Sequence, residues 1–142
     1  MLTGPALPMP GRLRAALGFV ILQALLNGVF GVFARRQIEK QRRGGEEPFS
    51  ILYSLEYLSY AFAAGLVAAG IVVLFGYGWS RWVLLAFEVV SALAGLLNLA
   101  GGGVAAAVGL VLAAMVVTTL FHAETKAWFA AKAAQRRAGS TV

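Results

Sequence analysis

The sequence predicts an all-α fold, a four-transmembrane-helix antiparallel bundle with helices 1 and 2 extended beyond the membrane. Three observations lead there. Apolar runs at 15–34, 51–77, 82–100 and 104–122 each approach the ~20 residues that a helix rising 1.5 Å per residue needs to cross a hydrocarbon core of about 30 Å. Apolar residues form 60% of the chain and charged ones only 13%, where soluble domains average roughly 45–50% and 25%. Glycine-rich turns follow the second and third runs, so residues 1–142 are expected to form a single integral membrane domain.

Residues 1–11 carry Pro5, Pro8 and Pro10 and are expected to stay out of helix. Span one follows Arg12 and Arg14, and Val32 and Ala34 stand where a signal peptidase would look for small residues. Its apolar stretch of about 20 residues exceeds the roughly 7–15 of a signal sequence, so a retained helix is expected. The basic link 35–49 opens with Arg35-Arg36-Gln37-Ile38-Glu39-Lys40-Gln41-Arg42-Arg43, all compatible with helix, before Gly44-Gly45 breaks it. Glu46, Glu47 and Pro48 suit a helix start, so helix 1 should run to about Arg43 and helix 2 begin near Pro48, a helical hairpin standing out of the bilayer. A disordered basic loop is the alternative.

Residues 76–81 and Gly101-Gly102-Gly103 are short reversals, which makes spans two, three and four sequential antiparallel neighbours. After span four, 123–137 keeps strong helix propensity and is expected to continue helix 4 along or beyond the interface. Trp128 and Phe129 would be its aromatic anchors, flanked by Lys126 and Lys132. Residues 138–142 should be unordered.

A net charge of +6 raises the question of nucleic acid, but the twelve Lys and Arg lie outside the apolar runs, where such residues anchor helices to anionic lipid head groups. Nucleic-acid binding is not expected. Arg35, Arg36, Lys40, Arg42, Arg43, Lys126, Lys132, Arg136 and Arg137 are the candidates for head-group or partner contact. Seven basic residues on the side of the termini against five on the other lean toward both ends in the cytoplasm of a multi-pass plasma-membrane protein. The chain has no cysteine, which removes disulfides and thiol chemistry, and its single histidine lacks the companions of a metal site; no metal or cofactor is expected.

An acid at membrane depth is a functional candidate by default. Glu88 lies about 9 Å past Trp82 by helical rise. Ser91, Gly95, Asn98 and Gly102 follow it at heptad spacing, a face expected to point into the bundle. Span one offers Gln23, Asn27 and Gly31, span two Ala61, Gly65 and Ala69, and span four Ala105, Gly109 and Ala113, with Thr118 and His122 on another face. By depth, Glu88 is level with Gln23, Thr118 and His122, and its expected partner is His122 or Thr118. Asn27 and Asn98 can meet each other. The cluster Glu88, His122, Thr118, Gln23, Ser91, Asn98 and Asn27 is either a polar clasp that fixes helix register or a proton- or cation-coupled site. Glu56 is expected at the interface with a positional role.

Several families fail on missing residues. Small multidrug transporters carry their essential acid in the first helix, which here holds only Gln23 and Asn27; vitamin K epoxide reductases need cysteines; CDP-alcohol phosphotransferases need an Asp-rich motif, and the chain has no Asp. The turn Gly78-Trp79-Ser80-Arg81-Trp82 and the end Glu124-Thr125-Lys126-Ala127-Trp128-Phe129 resemble those of small Ala- and Gly-rich membrane proteins of high-GC bacteria. That resemblance implies four helices and a cytoplasmic Arg81, and no activity. The expected function is a non-enzymatic accessory or scaffold subunit of a membrane complex, a homo- or hetero-oligomer in contact with the lipid bilayer. The alternative is a small transporter or channel subunit using Glu88.

Overall fold

Helix-forming residues do not stop where the first apolar run stops, and neither does the helix. In the computed structural model, which describes residues 7–104 and 106–140, α1 spans Gly11–Arg43, a rod of 33 residues or about 50 Å. Gly45, at φ 75°, reverses the chain into α2 (Ser50–Leu74), and Gly76, at φ 72°, reverses it again into α3 (Ser80–Ala100). Gly101 and Gly102 lead to α4 (Ala106–Phe121), which meets α5 (Ala123–Gly139) at His122. Among the described residues the chain is all-α. Residues 1–6, 105 and 141–142, and the expectations that fall on them, lie outside the described residues.

α1, α2 and α3 are each long and apolar enough to cross a membrane. α4 has 16 residues and passes the same test only together with α5, from which it is bent by 55°. Helix 4 therefore does not run on as one rod. His122 is extended (φ −65°, ψ 145°), and the last carbonyls of α4 give way there to a new helix start.

Each of the first four helices packs along its chain neighbour, and α4 closes back on α1. The buried core occupies one end of this ring, the end at which α1 begins and α2 and α4 finish. There Leu13 and Val20 of α1, Leu66 and Val73 of α2, Leu84 of α3 and Val116 of α4 are all within 1% of complete burial. α5 seals that end. Trp128 and Phe129, expected as interfacial anchors, are instead 4% exposed and part of the core, a correction that follows from the bend at His122 turning them under the bundle. Residues 7–10 are non-helical as their prolines dictate, yet held: the Trp128 indole donates to the Leu7 carbonyl at 3.3 Å, and Met9 packs on the core. The helix also runs through Ala138 and Gly139, past the expected end at Arg137, where Ser140 closes it by donating to the Arg136 and Arg137 carbonyls.

The opposite end is built as two separate hairpins. Gly31 lets the Tyr60 ring lie against α1, where a Cβ would come within 2.7 Å of it, and Gly95 receives Leu110 in the same way between α3 and α4. Between the α1–α2 pair and the α3–α4 pair, the packing opens.

Candidate functional site

The opening is a cleft of ≈ 390 Å³, reached by Gln23, Leu26 and Asn27 of α1, Leu55, Ser59 and Phe62 of α2, Val90, Ser91 and Ala94 of α3, and Gly109 of α4. Gln23 on its wall makes the one hydrogen bond between buried side chains of different helices among the described residues: its Nε2 donates to Glu88 Oε2 at 3.0 Å. α1 and α3 stand diagonally across the ring, so this bond crosses the middle of it. Glu88 is fully buried and Gln23 is 5% exposed.

The pair is incompletely satisfied. Glu88 Oε1 and Gln23 Oε1 are buried without a hydrogen-bond partner. A carboxyl group offers about four lone-pair sites, and a buried oxygen without a donor typically costs about 1–3 kcal/mol. Asn27, which also lines the cleft, donates its amide to the Gln23 main-chain carbonyl at 2.9 Å, one turn back along α1. Ser59 is 8% exposed, and Ser91 is half-buried on the cleft wall.

Glu88 does not pair with His122 or Thr118, the partners expected from depth. Thr118 is exposed on α4 and donates to its own Met115 carbonyl at 3.0 Å. His122 sits at the α4–α5 break with Nε2 2.8 Å from Arg12 Nη1; arginine can only donate, so Nε2 is the acceptor, and this bond ties the start of α1 to the hinge. Asn98 is also corrected. It is exposed rather than facing Asn27, and its side chain fills the space beside Gly103 that a Cβ would need, because the α3–α4 tip has no helix across from it. Depth along a helix is readable from spacing; the rotation of one helix against another is not.

The basic residues divide into engaged and free. Arg35 makes a 3.3 Å ion pair with Glu39 and a 3.5 Å pair with Glu56, whose carboxylate is 5% exposed and thus buried rather than interfacial. Arg35 stands ten residues before Gly45 and Glu56 eleven after it, a mirror spacing about the hairpin turn that gave the signal for this pair. Arg42 donates to the Tyr53 hydroxyl at 2.9 Å, and Arg43 reaches Glu39 at 3.8 Å. At the packed end, Arg136 donates to the Phe75 and Gly76 carbonyls at 3.1 and 2.8 Å and stacks 4.6 Å from the Tyr77 ring centre. It caps the C-terminus of α2, so its donors are taken by protein. Lys126 lies over Phe121 and Lys132 over Trp128, at 5.7 and 5.9 Å. Arg36, Lys40 and Arg137 make no ion pair or side-chain hydrogen bond among the described residues.

No group of three or more acidic or histidine side chains is placed to hold a metal ion among the described residues. Comparison with protein-family models, with curated proteins and with solved structures gave no match for this chain.

Proposed function

We propose that the chain is a non-enzymatic, multi-pass plasma-membrane subunit, a four-helix transmembrane bundle whose open half seats a transmembrane helix of another subunit in an oligomeric complex. The observation that carries this reading is the cleft between the hairpins, where Gln23, Asn27, Ser59 and Ser91 line a wall that hydrocarbon cannot hydrogen-bond. A helix bearing a serine, threonine or amide side chain satisfies these groups while filling the apolar remainder. With both termini in the cytoplasm, as the basic residues favour, the cleft opens toward the other face. Among the described residues no second catalytic group accompanies Glu88, which weighs toward a non-enzymatic reading.

Because the sequence has no cysteine, single cysteines at Ser59 and Ser91 can be cross-linked in native membranes without background. Adducts with a different polypeptide from these two positions, and none from the outward-facing Val111 or Leu97, are the expected result. Equal yields from all four would remove the cleft as a seat.

One observation favours a second reading, a transport or channel subunit: Gln23, which lines a space with room for about a dozen waters at ~30 Å³ each, and Glu88, bonded to it from behind, each keep a buried oxygen without a partner. In vesicles, Glu88→Gln should then abolish proton-linked flux, and wild-type protein without flux would exclude it.

A further inference from the structure

We infer that the outer face of α1 is a binding site for one anionic glycerophospholipid, with an acyl chain in a groove along the helix and the phosphate on Arg36 and Lys40. The groove, ≈ 590 Å³, lies on the side of α1 opposite the cleft and is floored by Ala24, Gly28 and Val32 with Tyr60 as a wall. Gly28 makes the dent: a Cβ built there meets nothing within 4 Å. From Ala24 to Phe33 it runs about 14 Å by helical rise, close to the ~15 Å of one leaflet's hydrocarbon.

Arg36 closes this groove and opens a second depression, ≈ 360 Å³, shared with Glu39, Lys40 and Arg43. The charge there is selectively uncompensated. Glu39 is engaged by Arg35 and Arg43, whereas Arg36 and Lys40, one turn apart on the same face, have no acid of their own among the described residues. An apolar slot of one-leaflet length that ends on a free guanidinium and a free ammonium matches a lipid tail and its anionic head group in both shape and charge. The inference takes α1 as membrane-spanning but is independent of any partner in the cleft, since the two surfaces share no α1 residue.

The test titrates the full-length, detergent-purified chain with phosphatidylglycerol or phosphatidylcholine and counts bound lipid by native mass spectrometry. Phosphatidylglycerol should bind in a one-to-one complex and phosphatidylcholine more weakly. Arg36→Gln and Lys40→Gln should each weaken phosphatidylglycerol about fivefold, the effect of one basic residue at an anionic surface. Arg42→Gln, whose guanidinium is held by Tyr53, should leave it unchanged. Gly28→Leu and the exposed Val29→Trp, which obstruct the slot, should also weaken it, and Val29→Trp carries this arm if Gly28→Leu folds poorly. Excess inorganic phosphate should not displace the lipid. Equal losses from Arg36→Gln and Arg42→Gln would reduce the site to diffuse basic attraction, and retention by both groove variants or displacement by phosphate would reduce it to a head-group contact; either overturns the inference.

Discussion

The two ends of this molecule use the same four helices to opposite effect. At the end where α1 begins, Leu13, Leu66, Leu84 and Val116 meet in a core that α5 closes with Trp128 and Phe129. At the other end, the helices pair into hairpins, α1 with α2 through Gly31 under the Tyr60 ring and the Arg35–Glu56 and Arg42–Tyr53 pairs, α3 with α4 through Gly95 under Leu110, and a cleft lies between the pairs. The difference is one of fillers. α5 supplies large side chains from outside the ring at the first end, and nothing among the described residues does so at the second. A bundle in hydrocarbon gains little from apolar burial itself and is held by packing and by satisfied polar groups. The open end is therefore where we propose that another helix seats.

The largest expected effects break the packed end. Trp128→Ala empties the seal under the bundle and should cost about 3 kcal/mol or more in equilibrium unfolding from mixed micelles, whereas Val90→Ala on the cleft wall should stay within about 0.5 kcal/mol. Equal costs would mean that the two ends are packed alike. Next come the two left-handed turns. Gly76→Ala and Gly45→Ala both force a side chain into positive φ, a penalty of about 1 kcal/mol, but a Cβ at Gly76 also comes within 2.8 Å of Lys132 while one at Gly45 meets open space. Gly76→Ala should be clearly the worse, read as a difference in midpoint denaturant.

The pair between the two ends gives a more diagnostic effect. Glu88→Leu strands the Gln23 amide and should destabilise by about 1–3 kcal/mol; Gln23→Leu with Glu88→Leu should recover most of that, since two apolar partners leave no polar group unmet. A double variant as poor as the single would show that Glu88 has another essential partner. The smallest effect belongs to Arg43→Gln, an exposed 3.8 Å pair with Glu39, which should leave the unfolding midpoint unchanged at high salt and nearly so at low salt.

Most of the fold was legible because it is written in length and punctuation. Apolar runs, Gly44-Gly45, Gly76 and Gly101-Gly102-Gly103 place α1 to α4, and the helix-forming residues up to Arg43 carry α1 past its apolar part. The burial of Glu88 and Gln23 was legible too, since an acid and an amide at that depth have nowhere else to go. Their bond to each other was not: Gln23, Thr118 and His122 lie at one depth, and the choice among them depends on how α4 is turned about its axis, which no spacing along a single helix records. Asn98 misleads for a related reason, sitting on the right stripe of α3 but beyond the level at which another helix covers it. The break at His122 was hidden because an unbroken apolar run leads up to it and strong helix formers follow it; what ends α4 is the extended backbone of a single residue.

The shortness of α4 has a consequence for the surrounding bilayer. Its 16 residues amount to about 24 Å before the bend, roughly 6 Å less than an average hydrocarbon thickness, while α1 on the adjoining flank exceeds that thickness. Were α4 to cross a bilayer as it stands, lipid would have to thin beside that flank and not beside the other, a lateral asymmetry best matched by short-chain or loosely ordered membranes. A modest elastic penalty of this kind is enough to bias where in a heterogeneous membrane a small protein gathers.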